Sequence, residues 1–311
     1  AIANNLATCH IYVGRMRQAV ASSLDALRAL SQLEAPSAHA AMASLYLSAA
    51  YGRLGHFAEA LRWANEAEHV FSTSAPLGVL FCDSSRSTLY WDLGQRARST
   101  QIVERIAASP ELPRSLLVRQ LLLRCRMSRE QGRPTQDHVD AGLTSLQAER
   151  FGNLRELLLI ERALALPAPD ALVALAQIGD RSQIDGYHGA LLETQMRAAQ
   201  IALALDPALA RQHALQALET SRDYDLVTSY PGELWLHAAT ALLTAGDFAA
   251  GLEVLRRSVD WLHGTARDHV PAEFRDSFLH RNPTNVAITA LAAKHGALQP
   301  MVPFAPQAAR P

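Results

Sequence analysis

The chain has 311 residues, is 49% hydrophobic but only 6% aromatic, and carries a formal charge of −1. Near-neutrality leaves no global field to hold a polyanion, so direct nucleic-acid binding by this segment is not expected. No apolar run reaches the ~18–20 residues that span a bilayer and no signal peptide opens the chain, so a cytoplasmic location without a membrane partner is expected.

Of the 29 basic residues one is Lys294 and the other 28 are Arg, a usage that fits a G+C-rich genome. It also gives nearly every cation the planar fork that grips carboxylates and phosphates. Cys9, Cys82 and Cys125 show neither disulfide nor metal spacing and read as reduced thiols.

The first elements are set by Leu6, His10, Val13-Gly14, Met16, Ala19-Val20 and Ala26, which describe a helix, a tight turn and a second helix. The same frame returns as Leu47, Tyr51, Leu54-Gly55, Phe57, Ala60-Leu61 and Ala67. Gly14, Gly55, Gly94 and Gly132 follow one another at spacings of 41, 39 and 38 residues. Glycine at the end of a helix supplies a positive φ without Cβ strain. A small residue five positions later lets two helices approach closely. Period-2 alternation is nearly absent, so an all-α solenoid is predicted, in which each repeat buries its apolar face against the next.

The pattern Leu47, Tyr51, Gly55, Phe57, Ala60 and Ala67 resembles the tetratricopeptide repeat (TPR) family. Units three and four keep the turn, with Tyr90 before Gly94 and then Gly132, but lose the small residue after it. Pro167-Ala168-Pro169 is expected at the turn of unit five, and Leu205-Asp206-Pro207 at that of unit six, with Ala210 and Ala217 behind. Unit seven reads Trp235, Ala239, Leu242, Gly246-Asp247-Phe248, Gly251 and Ser258. The resemblance implies an α-α superhelix of about seven helix-turn-helix repeats over residues 1–264. Units of 38 to 41 residues exceed the usual length of about 34. This length resembles the repeat domains of large bacterial signal-responsive transcription regulators and ATPases of the maltose-regulon-activator type. The run from Val270 to Pro283 resembles tails that close such domains.

At the C-terminal end, Phe274 and Phe278 share one face at i, i+4, the spacing for covering the last repeat. Asn282-Pro283 is a cap followed by proline at the first helical position. Capping helices are therefore expected over 265–296, and a Pro-rich disordered tail over 297–311. The chain opens at Ala1 inside a predicted helix, as a segment of a longer protein would.

No phosphate loop, dinucleotide fingerprint, nucleophile elbow or His-Glu-x2-His zinc motif is present. No enzyme activity, cofactor or metal is expected. His263, His269 and His280 lack ordered ligand spacing, and Asp223 and Asp225 read as turn residues.

One local feature departs from neutrality: Arg114, Arg119, Arg124, Arg126, Arg129 and Arg133 cluster in the fourth unit. In the repeat frame Arg119, Arg126 and Arg129 face the concave groove. Neighbouring frames place Arg53, Ser84, Thr88, Trp91 and Asp92 there, and likewise Asn153, Glu156 and Gln195. Such a wall either binds an acidic peptide or anionic ligand, or pairs with Glu130, Glu149 and Glu156 as a solvated face. The function expected is a non-catalytic repeat domain of a bacterial regulator that binds a protein, a peptide or another domain of its own parent chain. The alternative is a sensor for a small anionic effector. A polar pocket closed between repeats would favour the sensor and an open groove the scaffold.

Overall fold

The computed structural model describes residues 2–31, 37–109, 112–146 and 152–297. Sixteen α-helices are described in this all-α chain. The first six are α1 (Ile2–Val13), α2 (Met16–Leu30), α3 (Ala38–Arg53), α4 (Phe57–Ser74), α5 (Leu77–Asp92) and α6 (Arg96–Ala107). The middle four are α7 (Arg114–Glu130), α8 (Gln136–Leu146), α9 (Gly152–Ala163) and α10 (Ala168–Ile184). The remainder are α11 (His188–Ala202), α12 (Pro207–Thr220), α13 (Pro231–Thr244), α14 (Phe248–Asp268), α15 (Arg275–Arg281) and α16 (Pro283–Lys294). Consecutive helices pack on each other except across the α6–α7 junction, so α1–α14 form seven helix pairs and α15–α16 cap them. Among the described residues there is no strand, and no helix is long and apolar enough to cross a membrane.

The predicted turns are in place. Gly14, Gly55, Gly94, Gly132 and Gly246 all have φ between 66° and 85°. Ala19 and Ala60, five residues after their glycines, are fully buried where paired helices touch. The third unit also keeps its small residue, contrary to the sequence reading. Ser99 stands five after Gly94, is fully buried and donates to the Ser87 carbonyl at 2.7 Å. A hydroxyl that spends its proton on a helix carbonyl packs like alanine. In unit four that position is Asp137, which is exposed, and α8 instead buries Val139 and Gly142.

Boundaries shift slightly. Pro167 precedes α10 while Ala168 and Pro169 belong to its first turn, where proline's missing N–H is harmless. Asp206 caps α12 by accepting from the Ala208 N–H at 2.8 Å. α14 continues past residue 264 to Asp268. Asn282 caps α16 as expected, accepting from the Thr284 and Asn285 N–H groups. The tail from residue 298 onward and Glu149 lie outside the described residues.

The superhelix winds far enough to close on itself. The glycine turns of the first three repeats dock on α11–α16, many repeats away in sequence. Gly14 accepts from the Asp225 N–H at 2.7 Å, and the Asp225 carboxylate caps α2 by accepting from the Met16 N–H at 3.2 Å. Asp225 is thus a latch between windings rather than a turn residue, and burial raises its carboxyl pKa. The Gly55 turn meets Trp261 and Thr265 of α14, and the Ala58 N–H donates to the His269 carbonyl at 2.8 Å. Around Gly94, Ser277 donates to the Leu93 carbonyl and Asn282 to the Asp92 carbonyl, both at 2.7 Å.

Phe278 is fully buried between Phe57 and Tyr230, and Phe274 meets Tyr90 edge-on at 5.8 Å. The two phenylalanines therefore cover the second and third repeats as well as the last. The largest core cluster correspondingly mixes Phe57, Leu89 and Leu93 with Leu242, Leu255 and Ile288.

Candidate functional site: a cavity on the superhelix axis

The odd-numbered helices α1, α3, α5, α7 and α9 face the axis. Winding brings them around a cavity of about 360 Å³. Its floor is the loop Val227-Thr228-Ser229 between α12 and α13. The loop is pinned by Glu193 of α11, whose carboxylate accepts from the N–H groups of Val227, Thr228 and Ser229 at 2.6–3.1 Å. The Thr228 and Ser229 hydroxyls donate to it as well. From the other side Arg53 donates to the carbonyls of Thr228 and Ser229 at 3.0 and 2.7 Å. Glu193 escaped the sequence reading because nothing local marks it.

Seven of the eleven sequence-derived positions line this cavity: Arg53, Ser84, Thr88, Arg119, Arg126, Arg129 and Asn153. Four do not. Trp91 is buried beside Val103, Leu123 and Met127, with its indole N–H donating to Glu130 at 3.0 Å and Arg96 stacked 3.5 Å from the ring. Asp92 is fully buried behind the wall. Glu156 pairs with Arg155 and Arg181 rather than with the α7 arginines. Gln195 lies on α11, away from the lining, with its Oε1 buried and unbonded. Each was placed on the inner wall by repeat frame alone. Frame gives the face of a helix but not what packs against it.

The arginine wall is largely neutralised. Asp92 bridges Arg53 and Arg126 through its two oxygens, both at 2.6 Å. Arg126 also contacts Glu130 at 3.1 Å and Glu233 at 3.6 Å. Burial opposes its charge, but Asp92, Glu233 and Glu130 together bind its proton more tightly than usual. Arg129 pairs with Glu161. Glu233 also holds Arg197 at 2.5 Å. Burial would raise the Glu233 pKa, but Arg197, Arg126 and Arg129 hold it well below the usual carboxylate range. Of the expected partners among the described residues only Glu130 meets an α7 arginine, in a partly buried rather than solvated pair, and Asp92, Glu161 and Glu233 come from other helices.

Of the four arginines lining the cavity, Arg119 alone has no ion pair among the described residues. Its guanidinium lies 6.0 Å from the Tyr12 ring centre. Asn153 is 2% exposed, and its Nδ2 has no hydrogen-bond partner. Several other polar wall groups are engaged with each other, while no bond holds the hydroxyls of Tyr12, Tyr46 and Ser115 among the described residues. The Ser48 and Ser85 hydroxyls bond each other at 2.7 Å, and Gln120 donates to Ser84 at 2.6 Å. Tyr46, Met42, Phe81 and Leu122 supply apolar surface.

His263, His269 and His280 are not brought together as a ligand set. Instead His269 stacks on His56, centroids 3.8 Å apart and planes 7° from parallel, with Glu59 3.8 Å from His269 Nδ1. Parallel stacked imidazoles do not aim their in-plane lone pairs at one ion, so this trio suits a stacked ring pair better than a metal centre. Burial, then His269, lowers the His56 pKa, as a neutral ring requires.

Against protein-family models the chain matches none, and no curated protein matches it.

Proposed function

We propose that this chain is a non-catalytic, TPR-like sensing domain of a larger bacterial cytoplasmic regulator, and that its axial cavity binds a small anionic effector. The observation that carries this reading is the concave space formed where the two windings meet. Five inner helices and the Val227–Ser229 floor surround a volume within the ~300–1,000 Å³ typical of small-molecule sites. The Val227–Ser229 loop of the second winding forms part of the lining, which supports an effector over the scaffold reading. The walls belong to the first five repeats and the floor to the junction of the last two. A bound molecule therefore touches both windings and favours the closed arrangement by its differential affinity for it. An attached module would read that change.

The test uses N-phenyl-1-naphthylamine, a neutral fluorophore that brightens in apolar cavities. The wild type is expected to bind it saturably at about one equivalent. Ala49→Trp, which fills the cavity from α3, is expected to abolish this while leaving the helical circular dichroism unchanged. Equal fluorescence in both proteins contradicts the reading.

A further inference from the structure

The geometry points to the chemical class of the effector: an apolar, ring- or chain-bearing molecule with a single carboxylate, gripped by Arg119 and the free amide hydrogens of Asn153. The inference rests on the cavity reading and deepens it.

Charge sets the number of anionic groups. Arg53, Arg126 and Arg129 are held by protein carboxylates, leaving Arg119 as the one lining cation without an ion pair among the described residues. A carboxylate brings one negative charge and two acceptor oxygens, which a guanidinium fork can meet with paired hydrogen bonds. A phosphate monoester brings close to two charges and would leave one uncompensated in a cavity whose other arginines are already paired.

The buried amide argues for an acceptor. Asn153 Nδ2 has no partner, and a buried donor left unmade is costly. An incoming oxygen satisfies it once the amide turns into the cavity that Asn153 lines.

The walls argue against a polyhydroxylated body. Ser48 and Ser85 bond each other, Ser84 accepts from Gln120, and Thr88 donates to the Ser84 carbonyl at 3.3 Å. Beyond the hydroxyls of Tyr12, Tyr46 and Ser115 a sugar would find few unengaged side-chain partners there. Tyr46, Phe81 and Met42 instead offer aromatic and thioether surface to an apolar body.

The experiment displaces N-phenyl-1-naphthylamine from the full chain with three molecules sharing one body: 4-phenylbutyrate, 4-phenylbutanol and 4-phenylbutyl phosphate. The acid is expected to displace the fluorophore at least about tenfold more tightly than the alcohol, and more tightly than the phosphate. Arg119→Gln should bring acid and alcohol together, and Arg119→Lys should restore part of the gap. Asn153→Asp, which places a carboxylate in the wall, should weaken the acid and spare the alcohol. If acid and alcohol displace equally, if the phosphate is the tightest, or if Arg119→Gln leaves the gap intact, the carboxylate assignment is overturned while the cavity reading stands. If the fluorophore never enters the wild type, the cavity reading itself falls.

Discussion

The docked turns at Gly14, Gly55 and Gly94 and the free turns at Gly132 and Gly246 share one backbone conformation but have different surroundings. A Cβ built on Gly94 would lie 2.4 Å from the Ser277 carbonyl oxygen, and one on Gly14 2.7 Å from that of Asp225. At Gly132 and Gly246 it would meet nothing within 4 Å. The first set therefore does two jobs, ending a helix and admitting the next winding, and the second set only the first. Glycine at a repeat turn thus marks local geometry everywhere, but closure only where another winding arrives. Closure is what makes the inner face a cavity rather than a groove.

The largest expected effect comes from the charge cluster behind the closed wall. Asp92→Ala leaves Arg53 and Arg126 without their shared carboxylate and should cost roughly 3–5 kcal/mol in urea unfolding. A loss below about 1 kcal/mol would mean that solvent reaches the pair.

The comparison between turns is sharpened by two matched substitutions. Gly132→Ala should cost only the left-handed backbone penalty of about 1–2 kcal/mol. Gly94→Ala carries the same penalty plus roughly 1–3 kcal/mol for overpacking the seam. Equal losses in thermal or urea unfolding would break the distinction.

Acid probes the buried charge cluster from the α11–α13 side. His237 accepts from Arg197 at 3.4 Å, and burial followed by Arg197 pushes its pKa down to about 4 from 6.5. Below about pH 6.5 the unfolded chain takes up a proton that the folded chain refuses. Stability should therefore fall between about pH 6.5 and 4, by at most about 3 kcal/mol from this group. His237→Gln should flatten that part of the profile. An unchanged slope would remove His237 from the account.

The smallest effect is expected at Arg119. With no ion pair among the described residues to lose, Arg119→Gln should change stability by less than about 0.5 kcal/mol. A larger loss would mark Arg119 as structural.

The sequence reading succeeds where local rules act. Gly14, Gly55 and Gly246, the Asn282-Pro283 cap and the inward face of α7 all follow from backbone chirality and the 3.6-residue period. It fails where partners are distant. Asn282 and Asp92 are 190 residues apart, and how many repeats complete one winding is written in no single repeat. The same distance hid the neutralisation of Arg126, because Asp92 and Glu233 reach it from α5 and α13. It also hid Glu193, which acts on a loop more than thirty residues away. The α7 arginines were thus visible as a face, but that Arg119 lines the cavity with no ion pair among the described residues was visible only in the closed superhelix.

The central claim, a closed superhelix around a ligand cavity, is tested most directly by a crystal structure of the chain grown with 4-phenylbutyrate. The account predicts the carboxylate against Arg119 and Asn153 and the ring among Tyr46, Phe81 and Met42, with the Gly94 turn still seated on Ser277 and Asn282. An open groove with those turns undocked, or a cavity filled only by ordered water at saturating acid, would contradict it.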